Sequence, residues 1–368
     1  MNSRVPAEVF PPGEFLADEL EARGWTQTEF ADIISRPQKL VNDVINGKRA
    51  VTPETATEFA AALGTSAQFW MNLETAWQLS KVPARDDSIS RAAALRERFP
   101  VREMMKRGWI NPSTPAHELE SCVLSFFELK SVNDPIQFKH AARRNYQKEV
   151  NAAQWAWIYR VNQLATSLRG PGYSEATLRA RVSDLERLMT EPEEIRHVPR
   201  ILMECGVRFV IVEPIPGSEI QGVCFWINDN KTPVIALTLK GDQIDRFWFN
   251  LWHEIEHVLH EHGKDHLIIE DFDEANADPD ENEKIANRAA ADHCVPLAAM
   301  KDFILRHTPM FSEKNMLGFA RIVKRHPGIV AGQIQRQTKR WELFKKHQPR
   351  IRHIITQTAL TDGYGASL

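Results

Sequence analysis

From residue 10 to residue 81 apolar positions recur at helical spacing, broken by short polar corners. Thr26-Gln27-Thr28-Glu29 has the form of a capping box, in which the first Thr and the Glu satisfy each other's orphan amides. The helix behind it carries Phe30, Ile33 and Ile34 as its apolar side, and Ser35-Arg36-Pro37 makes a tight corner. A second helix follows with Leu40, Val41, Val44 and Ile45 apolar, and Asn46-Gly47 stops it. Thr52-Pro53 starts another, with Thr as N-cap and Pro in the first turn, and Gly64 ends it. Ser66 caps one more, with Phe69, Trp70, Leu73, Trp77 and Leu79 expected on its apolar side.

Residues 82–199 are less regular. Helical stretches cover 91–98, 141–168 and 175–189, with breaks at Pro83, Pro100, Pro112, Pro135 and Gly170-Pro171-Gly172. Trp155, Trp157 and Tyr159 cluster in the second of these; core packing is the plain reading and a self-association face the alternative. The segment reads as a helical connector that also serves dimerisation. From about residue 200 the pattern becomes that of strands, at 206–212, 222–227 and 233–239, the last two joined by the turn residues 228–232. A helix with Trp248, Leu251, Trp252, Ile255, Val258 and Leu259 follows, and the chain after 300 is helical again. The expected fold class is mainly α with a small β-sheet (α+β), in four regions: 1–81, 82–199, 200–300 and 301–368.

Two helices joined by a corner of three or four residues suggest a helix-turn-helix, whose second helix enters the DNA major groove. Its exposed positions would be Gln38, Lys39, Asn42 and Asp43. Gln and Asn make paired hydrogen bonds to adenine, and Lys bonds guanine. Lys48 and Arg49, just past the helix, suit phosphates, and Arg36 adds to this basic cluster. Net charge is −3 over 368 residues, so bulk positive charge holds no nucleic acid here. DNA binding rests on the local patch, and two copies are needed for useful affinity.

PPGEFLADELEARGWTQTEFADII and VINGKRAVTPETATEFAAALGTSAQFWMNLETAWQL resemble the N-terminal helix-turn-helix of HigA-type antitoxins, a branch of the XRE group. The resemblance spans nearly all of residues 11–80. It departs at Ser35, where the family usually has a glycine, and at Pro37 in the first turn of the recognition helix. It implies an antitoxin or autorepressor, dimeric on a palindromic operator.

The candidate chemistry lies in His253-Glu254-Ile255-Glu256-His257. Histidines four apart stack on one helix face, a turn apart, and can share one Zn²⁺. Glu254 sits beside them, placed to act on a water at the metal. A solvated, charged helix face is the bland alternative, but the apolar surroundings argue for burial, and buried histidines and glutamates need partners. A third protein ligand is required. His260, His262, His266, Asp271, Asp273, Glu274, Glu283 and His293 are the downstream candidates. His260 falls well around the helix from His253. Glu283 opens a fresh alanine-rich helical stretch, as the third ligand of a gluzincin-like arrangement does, and is preferred.

FWFNLWHEIEHVLH followed by ENEKIANRAAADHCVP resembles the ImmA/IrrE family of metallopeptidases over roughly residues 200–300. The resemblance implies His253, His257 and Glu283 as zinc ligands and Glu254 as general base. Two departures stand out. Glu256 replaces the glycine common before the second histidine, and Asp292-His293-Cys294 replaces a more apolar stretch. The edge of the preceding strand, at 234–238, is expected to hold an extended substrate by strand addition.

Between Lys314 and Arg352 eleven basic residues face a single acid, Glu342. A solvated helix face is the common reading of such a run, and a contact with DNA or an acidic partner the functional one. The acidic residues between Asp271 and Glu281 read as a surface loop. Cys122, Cys205, Cys224 and Cys294 form no CxxC pair, which argues against a disulfide scaffold or a cysteine zinc finger. With no membrane span or signal segment in the pattern, a cytoplasmic setting is expected. The combined expectation is a DNA-binding regulator or antitoxin carrying a zinc endopeptidase that cuts a repressor-like protein or itself. The alternative is a silent antitoxin whose peptidase-like domain holds a toxin or a signal.

Overall fold

The computed structural model describes residues 9–82, 88–136, 150–264, 268–270 and 281–365. The chain divides into two compact units, Met1–Ser88 and Ile89–Leu368. Residues 141–149, His266 and the acidic run 271–280 lie outside the described residues.

The first unit is all α: α1 Pro12–Arg23, α2 Gln27–Ile33, α3 Gln38–Ile45, α4 Pro53–Leu63 and α5 Ala67–Lys81. The capping box at Thr26 and Glu29 forms, and the Thr52 and Ser66 side chains cap α4 and α5. Leu16, Phe30, Val41, Phe59 and Trp70 fill the core. Three expected core positions, Ile33, Phe69 and Leu79, are exposed instead. Ile33 is displaced by Ala31 and Ile34, because a helix as short as α2 shows α3 only a narrow stripe. On α5 the buried pair is Trp70 and Glu74, while Phe69 and Leu79 face outwards. The buried Glu74 carboxylate accepts hydrogen bonds from the Val51 amide (2.9 Å) and Gln78 Nε2 (2.6 Å), which compensates its burial.

The second unit is a three-layer sandwich around a five-stranded sheet. Its strands are β1 Arg208–Val212, β2 Gly222–Ile227, β3 Thr232–Leu237, β4 Ile268–Glu270 and β5 Leu360–Asp362, in the order β4-β2-β3-β1-β5. β1 runs parallel to β3 and β5; β2 is antiparallel to β3 and β4. β1, β2 and β3 are buried on both faces, which is why they read as unbroken apolar runs. Val210, Val212, Phe225 and Val234 face a layer containing α6 Ser88–Arg98, α7 Val101–Lys106, α8 Ala116–Phe126 and α9 Ala152–Ser167. Trp155, Trp157 and Tyr159 are buried there, and Trp157 Nε1 donates to Val212 O (3.1 Å), so this aromatic cluster is core.

Phe209, Ile211, Cys224 and Trp226 face the opposite layer, which includes α10 Glu175–Arg187, α11 Val198–Glu204 and α12 Ile244–Leu259. It is completed by α13 Glu281–Cys294, α14 Leu297–His307, α15 Glu313–Val323, α16 Pro327–Thr338 and α17 Arg352–Ile355. The segment expected as a connector and the C-terminal region therefore share cores with residues 200–300. Much of the basic C-terminal run is paired internally: Arg325 with Glu186, Lys346 with Glu313, Arg340 with Glu342. The strand expected to take up substrate is not an edge. β3 is hydrogen-bonded to β2 on one side and β1 on the other, so its backbone has no row of amides to offer.

Candidate metal centre and candidate nucleic-acid interface

Apolar residues at 244, 247, 248, 251, 252, 255, 258 and 259 bury α12 on nearly all sides. His253, Glu254 and His257 are all fully buried, and Glu256 nearly so. The helix ends at His260, and Gly263 (φ 81°) turns the chain back beneath β2, where a Cβ would crowd the Cys224 carbonyl. α13 packs along α12 and brings Glu283 to the two histidines. His253 Nε2 lies 2.8 Å from His257 Nε2, 3.2 Å from Glu283 Oε2, and His257 Nε2 lies 3.4 Å from Glu283 Oε1. The ligand atoms of the three residues all fall within 4.8 Å of one another. Of the other candidates for a third ligand, His260 and His293 both pair with Glu256, and His262 sits behind His257, its Nδ1 3.0 Å from His257 Nδ1. Partners in that position fix the tautomer and ring angle of a coordinating histidine.

Burial, and then the neighbouring His257, hold the His253 imidazole well below its ordinary range, so it is neutral and can donate a lone pair. Asn287 hydrogen-bonds His253. Burial, and then the charge of Glu283, push the Glu254 carboxyl well up. Both Glu254 oxygens are buried without a hydrogen-bond partner among the described residues. Two histidines, one carboxylate and a partnerless buried carboxyl form a site short of positive charge, and a divalent cation with its water fits it. Gly222, at the head of β2, was not foreseen as part of the site. A Cβ there would overlap the Glu254 carboxylate. A lone glycine within a strand is the signal that marks such a close approach.

In the first unit, Gln38, Lys39, Asn42, Lys48 and Arg49 are exposed and Asp43 is half-buried. The Asp43 carbonyl accepts from the amides of Lys48 (2.8 Å) and Arg49 (3.0 Å), anchoring the turn that carries both cations. Asn42 Oδ1 accepts from Asn46 (3.1 Å), and Asn42 Nδ2 donates to Gln27 Oε1 (3.2 Å), a partner not foreseen from the sequence. Arg36 does not join the basic patch: its guanidinium donates to both oxygens of Glu58, from Nη2 to Oε1 (2.6 Å) and from Nε to Oε2 (3.1 Å). Ser35, at the corner, takes a left-handed conformation (φ 55°), where glycine is the easier residue.

Residues 16–70 match the helix-turn-helix family, and residues 206–312 match the IrrE N-terminal-like domain. The chain is 31% identical over 84 residues to the uncharacterised helix-turn-helix-type transcriptional regulator YddM of Escherichia coli, spanning 23% of this chain and 88% of that protein. The chain belongs to the helix-turn-helix regulators. This regulator is of XRE type and joins its DNA-binding unit to an IrrE/ImmA-like, peptidase-family domain. Among solved structures it is similar to an addiction module antidote protein of a HigA family from Coxiella burnetii, at 27% identity. That match covers 24% of this chain and 91% of the other, with a TM-score of 0.19. The Pseudomonas aeruginosa antitoxin HigA with higBA promoter matches at 27% identity over 24% of this chain and 89% of that one, TM-score 0.20. No described helix of the regulator is long and apolar enough to cross a membrane.

Proposed function

We propose that this helix-turn-helix regulator carries a zinc-dependent endopeptidase centre that cuts a repressor-like protein or the regulator itself. The observation that supports it most is the convergence of His253, His257 and Glu283 beside the partnerless buried carboxyl of Glu254. In this reading the first three residues hold the ion. When bound, zinc supplies Lewis-acid polarisation of the scissile carbonyl and acidifies a water beside it. Glu254 takes the proton from that water and hands it to the departing amide nitrogen. Its burial raises its hold on the proton between those two transfers. His262 and Asn287 orient the histidines.

On the DNA side, Gln38, Lys39 and Asn42 face bases, Lys48 and Arg49 face phosphates, and Asp43 sets the turn of that pair. Two copies sit on a palindromic operator, in the cytoplasm. For self-cleavage, the cut lies N-terminal to Leu95 within residues 82–112, because Leu95, Phe99, Val101, Met104 and Ile110 are buried. Such a cut separates the DNA-binding unit from the rest and relieves repression.

Glu254→Gln tests this. The variant keeps zinc, since Glu254 is not a ligand, and loses turnover by about a hundredfold or more. Mass spectrometry of zinc-loaded wild type and variant, alone and with candidate repressors, reads the result. The same fragments from both proteins would mean that the domain holds a toxin or signal instead of cutting.

A further inference from the structure

Side-chain amides of the first unit form a chain that links α3 to α2. Asn46, the C-cap of α3, donates from Nδ2 to the Asn42 carbonyl (2.7 Å) and to Asn42 Oδ1 (3.1 Å). Asn42 in turn donates from Nδ2 to Oε1 of Gln27 (3.2 Å), the first residue of α2. Asn42 and Asn46 are exposed and Gln27 is half-buried.

This chain has one direction. A backbone carbonyl only accepts, so it meets the Asn46 amino group and not the Asn46 oxygen. That amino group requires an oxygen from Asn42, which turns the Asn42 amino group to Gln27 and an oxygen of Gln27 to Asn42. Reversing any one amide sets two donors or two acceptors against each other. A primary amide has two N–H donors and two lone pairs on its oxygen. Asn42 has engaged one of each here and keeps one of each. Adenine sets an acceptor, N7, beside a donor, N6, on its major-groove edge, whereas guanine sets two acceptors there. The groups left on Asn42 therefore match adenine. A carboxamide without such partners turns about its last torsion, which is broad and roughly two-fold. Both bonds compete with water in the free protein and strengthen once DNA excludes it.

We propose that Gln27 on α2 is a positioning residue for base readout, holding the Asn42 carboxamide in the sense that selects adenine. The proposal rests on the base-contact reading of Asn42 above, and the test separates the two. Full-length protein selects from a pool of duplexes with a randomised core of about 20 base pairs, room for two half-sites one turn apart. Bound and unbound fractions are sequenced. Wild type prefers adenine at the position that Asn42 reads, and Asn42→Ala flattens that preference by about fivefold or more. Gln27→Ala flattens the same position by about threefold to tenfold, the worth of one intramolecular hydrogen bond. It leaves the other positions as they are and adds nothing in the Asn42→Ala background. Two charged variants set affinity against preference. Gln27→Glu keeps an acceptor for Asn42 but repels phosphates, so every duplex binds more weakly and adenine is still preferred. Gln27→Lys attracts phosphates but offers only donors, so every duplex binds more tightly and the preference is lost. Adenine preference unchanged in Gln27→Ala or Gln27→Lys, or lost in Gln27→Glu, overturns the positioning role and leaves Asn42 a base contact. So does a loss in Gln27→Ala spread evenly over all positions. If wild type prefers no position, or Asn42→Ala flattens none, the base contact falls and the proposal with it.

Discussion

Gly222 and Glu254 show how little room the centre allows. The strand backbone at Gly222 lies against the carboxyl, and any Cβ there displaces it or the strand. Gly222→Ala is expected to cost about 1–3 kcal/mol of stability through overpacking. It should also lower turnover by at least about tenfold through misplacement of the base, with zinc retained. Thermal unfolding, zinc content and cleavage rate of the one variant check the three parts. The spacing of His253 and His257 made their shared face readable in the sequence, because helical periodicity alone decides it. Glu283 is only preferred among eight downstream candidates, for opening a second helix, and it takes the resemblance to imply it outright, since no local pattern states which distant helix will pack on α12. The positions of His262 and Gln27 were not legible, and Gly222 offered only the signal of a glycine in a strand. Each depends on tertiary approach between elements separated in sequence.

At the scale of elements, α12 is tied to its neighbours by a half-buried polar chain. His293 on α13 bonds Glu256 on α12 (3.2 Å) and Glu186 on α10 (3.0 Å), and Arg325 pairs with Glu186 (3.2 Å). The Trp252 ring stacks on His293 at 4.1 Å. Glu256 and His293, two departures from the family pattern, thus meet and compensate each other. Burial disfavours the charged imidazole, but Glu186 and Glu256 together outweigh it and push His293 up to about 9. The His293 bond to Glu186, with Arg325 behind it, in turn holds the Glu186 carboxyl low. Because the His293 value is raised, its contribution is complete below the unfolded value near 6.5 and is lost as pH climbs through about 9. That of Glu186, whose value is lowered, is present above its unfolded value and is lost towards acid. Thermal unfolding of the full chain from pH 7 to pH 10 should show the alkaline loss, and His293→Gln should flatten it. His293→Ala should cost about 1–3 kcal/mol, since the buried Glu256 carboxylate loses this partner while Glu186 keeps Arg325. A pH profile unchanged by His293→Gln would contradict this assignment. The sequence showed the elements here but not their neighbours: the apolar run of β3 looks the same for an edge or a central strand, and only the sheet order decides.

At the scale of the whole molecule, the two units have separate cores, so under the proposed function variants in one should spare the activity assigned to the other. Operator binding divides further. Asn42→Ala should lower discrimination by about 1–3 kcal/mol for one lost bidentate base contact. Lys48→Ala should weaken binding to every sequence and reduce the salt slope by about one. Binding titrations of operator and random DNA at several salt concentrations distinguish them, and Glu254→Gln should match wild type in both. The central claim is the metal centre, and elemental analysis of purified full-length protein tests it most directly. About one zinc per chain is predicted in wild type and in Glu254→Gln, with loss in His257→Ala; zinc unchanged in His257→Ala, or absent from wild type, would contradict the account.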